Sequence, residues 1–155
     1  MCFFQYINKN SIFNRELSSW WLTKAYFAER YAPDVVILGD NQLGPLLGSD
    51  AYVYDRIVDF TDNHRSYVLE EDLNALLNKK LKVFVAPLSQ AITTDQLFVA
   101  QAMFSKLFKP RLVVIAISPH NFANSSNNQT EVRAFFSSYR DPESLKNALK
   151  GLGEK

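Results

Sequence analysis

The chain has 155 residues, of which 47% are hydrophobic and 14% aromatic, and its 17 basic and 16 acidic side chains leave a formal charge of +1. That length suits one domain burying roughly 70% of its unfolded surface, and sparse Gly and Pro exclude a disordered or fibrous chain. Without a block of like charge a nucleic-acid partner is not expected, and a lone cysteine, Cys2, rules out an internal disulfide.

The opening MCFFQYINKNSIF carries an apolar patch that breaks at Asn8-Lys9-Asn10. It stops short of signal-peptide or membrane-spanning length, and no small-residue cleavage site follows. The reading is a soluble chain, leaning cytoplasmic, with no membrane segment of its own. A native start upstream of Met1 would leave room for a lost anchor.

From Arg15 to Tyr31, Leu17, Trp20, Trp21, Lys24, Ala25 and Ala28 recur at three- and four-residue spacings, predicting an N-terminal helix over 15–31 that stops before Pro33. Val35-Val-Ile-Leu38 is a β-branched run without alternation, the pattern of a strand buried on both faces, and Gly39 closes it. The stretch 42–65 reads as loop with a short helix near 51–57. Ser66 is an N-cap for a helix through Lys79, with Leu69, Leu73, Leu76 and Leu77 on one face and Glu70, Glu71 and Asp72 near its start.

Val83-Phe-Val-Ala86 is a second buried strand. Thr93-Thr-Asp-Gln96 then forms a capping-box pattern opening a helix to about Phe108. Leu112-Val-Val-Ile-Ala-Ile117 is the clearest strand in the chain. An Asn/Ser-rich loop leads to helical segments near 131–139 and 142–150, the latter with Asp141 as N-cap and Pro142 at the first helical position. Two glycosylation patterns in that loop, at Asn124 and Asn128, carry no weight without a secretion signal.

Alternating strands and helices build a parallel sheet with helices on both faces, whose ligands bind outside the carboxyl ends of the strands. One domain over 1–155 is expected, with its core in 34–122 and C-terminal helices in 130–150. Three segments should meet at the strand ends: Gly39-Asp40-Asn41-Gln42, Pro87-Leu88-Ser89-Gln90, and Ser118-Pro119-His120-Asn121-Phe122.

The stretches APDVVILGDNQ, KVFVAPLSQAITTDQLFVAQAMF and KPRLVVIAISPHNF together resemble the SGNH, or GDSL, hydrolase superfamily, and in particular a mainly cyanobacterial branch of it. The likeness covers about two thirds of the chain. It implies a three-layer α/β/α, flavodoxin-like fold and, in active members, ester hydrolysis or acyl transfer on small or carbohydrate substrates. Those members use a serine at the end of the first strand, oxyanion donors from a glycine N–H and an asparagine, and an Asp-x-x-His near the C-terminus.

Carried over by position, that pattern largely fails. Asn41 stands where the serine would be, and an amide has no hydroxyl with which to form an acyl-enzyme. No glycine occurs in Ala86-Pro-Leu-Ser-Gln90, Asn121 or His120 aligns with the asparagine, and the only histidines, His64 and His120, lie in no Asp-x-x-His. Two explanations stay open: a chain cut short before the catalytic pair, or a decayed or repurposed gene product.

The expectation is therefore a pseudoenzyme whose strand-end pocket, built from Asp40, Asn41, Gln42, Ser89 and Asn121, holds a small-molecule, acyl or carbohydrate ligand. One alternative is an esterase or O-acyltransferase using Ser89 or Ser118 with His120. The other is a protein-interaction module, self-association included, through a sheet edge or the aromatic N-terminal helix. No cofactor and no metal site is expected: Asp40, Asp55 and Asp95 show no converging ligand spacing, and GDNQLG is not a dinucleotide fingerprint. The plainest role for Asp40 and Asn41 is capping the turn after the first strand, and for His64 a polar loop position.

Overall fold

The run Val35–Gly39 forms β1, and every one of its five residues is buried, as an unbroken apolar strand requires. It is the middle strand of a three-stranded parallel sheet of order β2-β1-β3, with β2 at Val83–Pro87 and β3 at Leu112–Ile115. The computed structural model describes residues 18–55, 64–88, 91–104 and 108–119 together with the single positions Glu143 and Asn147. Within these the four α-helices are α1 (Ser18–Ala28), α2 (Gly44–Tyr54), α3 (Tyr67–Leu77) and α4 (Thr93–Met103), and a 3-10 turn spans Asn41–Leu43. The expected helices at 131–139 and 142–150 lie outside the described residues, apart from Glu143 and Asn147, both helical.

Since β2 and β3 flank β1 on opposite sides, the connections to them run in opposite directions and belong on opposite faces. The core divides accordingly. Val36, Leu38, Phe84 and Ala86 face α1 and α4, meeting Leu22, Tyr26, Val99 and Met103. Val35, Ile37, Val83 and Val85 face α2 and α3, meeting Leu47, Leu69 and Leu73. Tyr26 centres the first cluster, edge-on to Phe84 at 5.3 Å and to Phe108 at 5.2 Å between ring centroids.

Local chemistry explains the element ends. Ser66 caps α3 as its position predicts, its hydroxyl accepting from the Leu69 N–H at 3.4 Å, and Asn78 closes the helix at a left-handed φ of 48°. At α4 the capping residue is Ile92 rather than Thr93. Only the reverse half of a capping box can operate there, with Asp95 accepting the Ile92 N–H at 3.0 Å. The helix expected near 51–57 instead begins at Gly44 and ends at Tyr54, because Pro45 sits in the first turn, where a missing N–H costs nothing.

Two buried carboxylates tie α3 in place. Asp50 of α2 accepts the Tyr67 N–H at 2.7 Å and the Val68 N–H at 3.0 Å, satisfying donors that a helix start leaves free. Glu70 accepts the Val83 N–H at 2.8 Å and also accepts from the Nε and Nη2 of Arg65, so α3 is pinned to β2. That contact, led by the hydrogen bond, holds the Arg65 pKa above its ordinary value.

β3 lies within the strand expected over 112–117. The clearest strand in the sequence is exposed at all four residues, Leu112 at 54% and Ile115 at 46%.

Candidate site at the carboxyl ends of the strands

The chain leaves β1 through Gly39, and the sheet is tightest there. A Cβ on this glycine would lie 2.9 Å from Ala116 Cβ and 3.0 Å from Leu43 Cγ, so no larger residue fits without displacement. The ladder continues one step past each flanking strand, with the Leu88 N–H donating to Gly39 O and the Ala116 N–H to Leu38 O, both at 2.7 Å. These bonds draw the segments after β2 and β3 against the end of β1.

Asp40 follows in a turn that its own side chain makes. One carboxylate oxygen accepts the Gln42 N–H at 2.9 Å, and its carbonyl accepts the Leu43 N–H at 3.1 Å, which winds residues 41–43 into the 3-10 turn. The other carboxylate oxygen accepts from the Ser118 hydroxyl at 3.5 Å. Both groups are buried, Asp40 at 8% and Ser118 at 5% exposure.

Behind them lies Gln96 of α4, buried, its amide donating to Ala116 O at 3.5 Å. Its own side-chain oxygen finds no hydrogen-bond partner among the described residues. The sequence pattern marks Gln96 only as the end of the Thr93-Thr-Asp-Gln96 capping box and not for this contact, whose partner is 20 residues away.

Of the residues expected to converge, Asp40 and Ser118 meet, Gln42 is exposed beside them, and Asn41 occupies the first position of the 3-10 turn. Ser89, Gln90, His120 and Asn121 lie outside the described residues. His64 lies outside any helix or strand, as the loop reading has it, but it is not solvent-facing. It is buried on the outer edge of β2, its Nδ1 3.2 Å from Val85 O and its ring stacked on Phe84 at 5.3 Å, where Arg65 bridges Phe84 in antiparallel fashion. That edge faces away from β1.

This geometry decides what the described groups can do. Asp40 spends both carboxylate oxygens on holding the turn and the β3 exit. The Ser118 hydroxyl is turned to a carboxylate and shielded from solvent, whereas a nucleophile must be reached by its substrate. No cluster of three or more His, Cys, Asp or Glu side chains that could hold a metal ion occurs among the described residues, and no helix there is long and apolar enough to cross a membrane. Comparison with models of protein families, with curated proteins and with solved structures finds no match to this chain.

Proposed function

We propose that the chain is an SGNH-hydrolase-like domain of flavodoxin-like type that does not hydrolyse esters and holds a small ligand at the carboxyl ends of its strands. The observation that carries this reading is the first turn after the central strand. Gly39 is required there sterically, Asp40 builds the turn through the Gln42 N–H, and the next residue is Asn41. Active members of the superfamily this chain resembles set their attacking hydroxyl at that position, and an amide cannot be deprotonated to form an acyl-enzyme. The order β2-β1-β3 supports the flavodoxin-like assignment, since it matches the opening of a 2-1-3-4-5 sheet, in which ligands sit beside the switch between β1 and β3.

In this reading Asp40 and Ser118 shape the pocket floor, and Asn41, Gln42, Ser89 and Asn121 offer amide and hydroxyl groups to a neutral polar ligand such as an acyl or carbohydrate group. The test is hydrolysis of p-nitrophenyl acetate and of a longer p-nitrophenyl ester by the full chain, beside Ser89→Ala, Ser118→Ala and His120→Ala. The expected result is no turnover that any of these changes removes. Turnover abolished by one of them would overturn the proposal in favour of an esterase built on that residue.

A further inference from the structure

By register, Leu112 and Val114 of β3 stand beside Val35 and Ile37 of β1, on the face that carries α2 and α3. The β1 pair is buried and the β3 pair is exposed. Between α3 and β3 lies an open groove of about 410 Å³, walled by Leu69, Leu73 and Leu77 on one side and by Leu112 and Val114 on the other. That volume falls within the roughly 300–1,000 Å³ of small-molecule sites and far exceeds what one water needs. The three leucines recur every fourth residue and so form one line along the helix.

Polar side chains line the groove only through Asp34, Lys79 and Arg111. Asp34 and Arg111 immediately precede β1 and β3, and Lys79 lies on the link from α3 into β2, so the charges gather at the amino end of the sheet. Asp34 is already engaged there. One of its oxygens accepts the Lys82 N–H at 3.0 Å, and the other lies 3.6 Å from Arg111 Nη1. Two cations facing one carboxylate leave a surplus of positive charge. Lys79 is exposed and makes no ion pair among the described residues, and Arg111, 72% exposed, touches Asp34 through a single arm of a five-donor group.

This pattern suits an alkyl chain that ends in an anion. A saccharide or an extended peptide would bury hydroxyl or amide groups against the leucine wall without partners, and a cationic head would meet Lys79 and Arg111. From Leu69 to Leu77 the helix rises about 12 Å, the length of an extended chain of about ten carbons at about 1.25 Å per C–C bond.

We infer that this groove is a binding site for a medium-chain fatty acid, its tail along the leucine line and its carboxylate at Lys79 and Arg111. The site is separate from the carboxyl-end pocket and does not rest on the reading given for it. The test titrates the full chain, with Leu and Val methyls labelled for NMR, with decanoate below its micelle concentration, beside octanoate, 1-decanol and decyltrimethylammonium. Decanoate should shift the methyls of Leu77, Leu112 and Val114 and leave those of Leu22 and Val99, in the cluster on the opposite face, in place. Its affinity should exceed that of octanoate by roughly threefold per methylene, as burial in an open groove allows. Lys79→Glu with Arg111→Gln should weaken decanoate about tenfold and leave 1-decanol within about twofold.

If that pair unfolds the chain, a preference of the parent for decanoate over both 1-decanol and decyltrimethylammonium decides instead. Four results overturn the inference. One is the absence of groove shifts at the solubility limit of decanoate. Another is shifts confined to methyls outside the groove. The third is equal binding of the three head groups or, in a folded charge variant, undiminished binding of decanoate. The last is a ligand-free protein whose groove methyls already contact residues beyond Pro119 or a second copy, which would make the chain itself the occupant.

Discussion

Ser118 and Asp40, 78 residues apart in sequence, meet through one hydroxyl-to-carboxylate hydrogen bond of 3.5 Å that joins the exit of β3 to the exit of β1. At that length the bond is weak, so Ser118→Ala should cost about 0.5–1 kcal/mol. Asp40→Ala removes the Gln42 N–H acceptor as well and should cost about 1–2 kcal/mol, with Asp40→Asn between the two because its amide oxygen can still accept from Gln42. Urea denaturation midpoints check the order. Equal losses for Ser118→Ala and Asp40→Ala would mean that the turn bond contributes nothing.

Two glycines should respond with opposite signs. Gly39→Ala forces a methyl against Ala116 and Leu43 at the tightest point of the sheet, an overpacking worth about 1–3 kcal/mol of destabilisation. Gly48, inside α2, has nothing within 4 Å of a built Cβ, so Gly48→Ala should stabilise by about 0.5–1 kcal/mol through helix propensity. Thermal unfolding of the pair reads both at once, and a stabilised Gly39→Ala would contradict the packing described.

Asp50 acts at a distance as the cap of α3, and its loss should resemble loss of an N-cap. Asp50→Ala strands the Tyr67 and Val68 N–H groups and should destabilise by about 1–2 kcal/mol, whereas Asp50→Asn should lose less. Hydrogen exchange locates the effect: the first turn of α3 should exchange faster while β1 keeps its protection. Uniform acceleration through the sheet would argue for a global role instead.

Burial pushes the Tyr26 phenol well above the ordinary 10.0 of a tyrosine. Below pH 10 the group is neutral in both folded and unfolded chains, so its contribution to stability is fully present. Above pH 10 the unfolded chain releases this proton while the folded chain retains it, and stability falls by about 1.4 kcal/mol per pH unit until the folded phenol titrates in turn. Tyr26→Phe should therefore lose little at pH 8, where only a 3.5 Å bond to Phe108 O is removed, and decline less steeply between pH 10 and 11.5. Parallel slopes for the two proteins in denaturant titrations would contradict this.

The local grammar of the chain was readable without coordinates. The three apolar runs became the three strands, Ser66 became a cap, and the parallel order with Gly39-Asp40 at a strand end follows from the alternation of elements. What misled was punctuation. Gly44-Pro45 and Gly48-Ser49 punctuate the stretch 42–65 that reads as loop with a short helix near 51–57, yet a proline in a helix's first turn starts it rather than stopping it, and α2 runs through both pairs. His64 is a loop residue, as its polar neighbours suggest, but its burial was not legible because the edge of β2 that covers it is some 20 residues away.

Composition and periodicity by themselves determined that an α/β chain would form, where its strands lie and that Asn41 follows the first of them, because apolar runs, caps and turn residues act within a few positions. Tertiary structure alone decided that Asp40, the expected cap of its own turn, also meets Ser118, that Asp50 and Glu70 are buried brackets around α3, and that β3 leaves an apolar trough beside it. The physical reason is range. A carboxylate's partner and a strand's cover are chosen by which distant segments the sheet brings within a few ångströms, and no spacing along the chain encodes that distance.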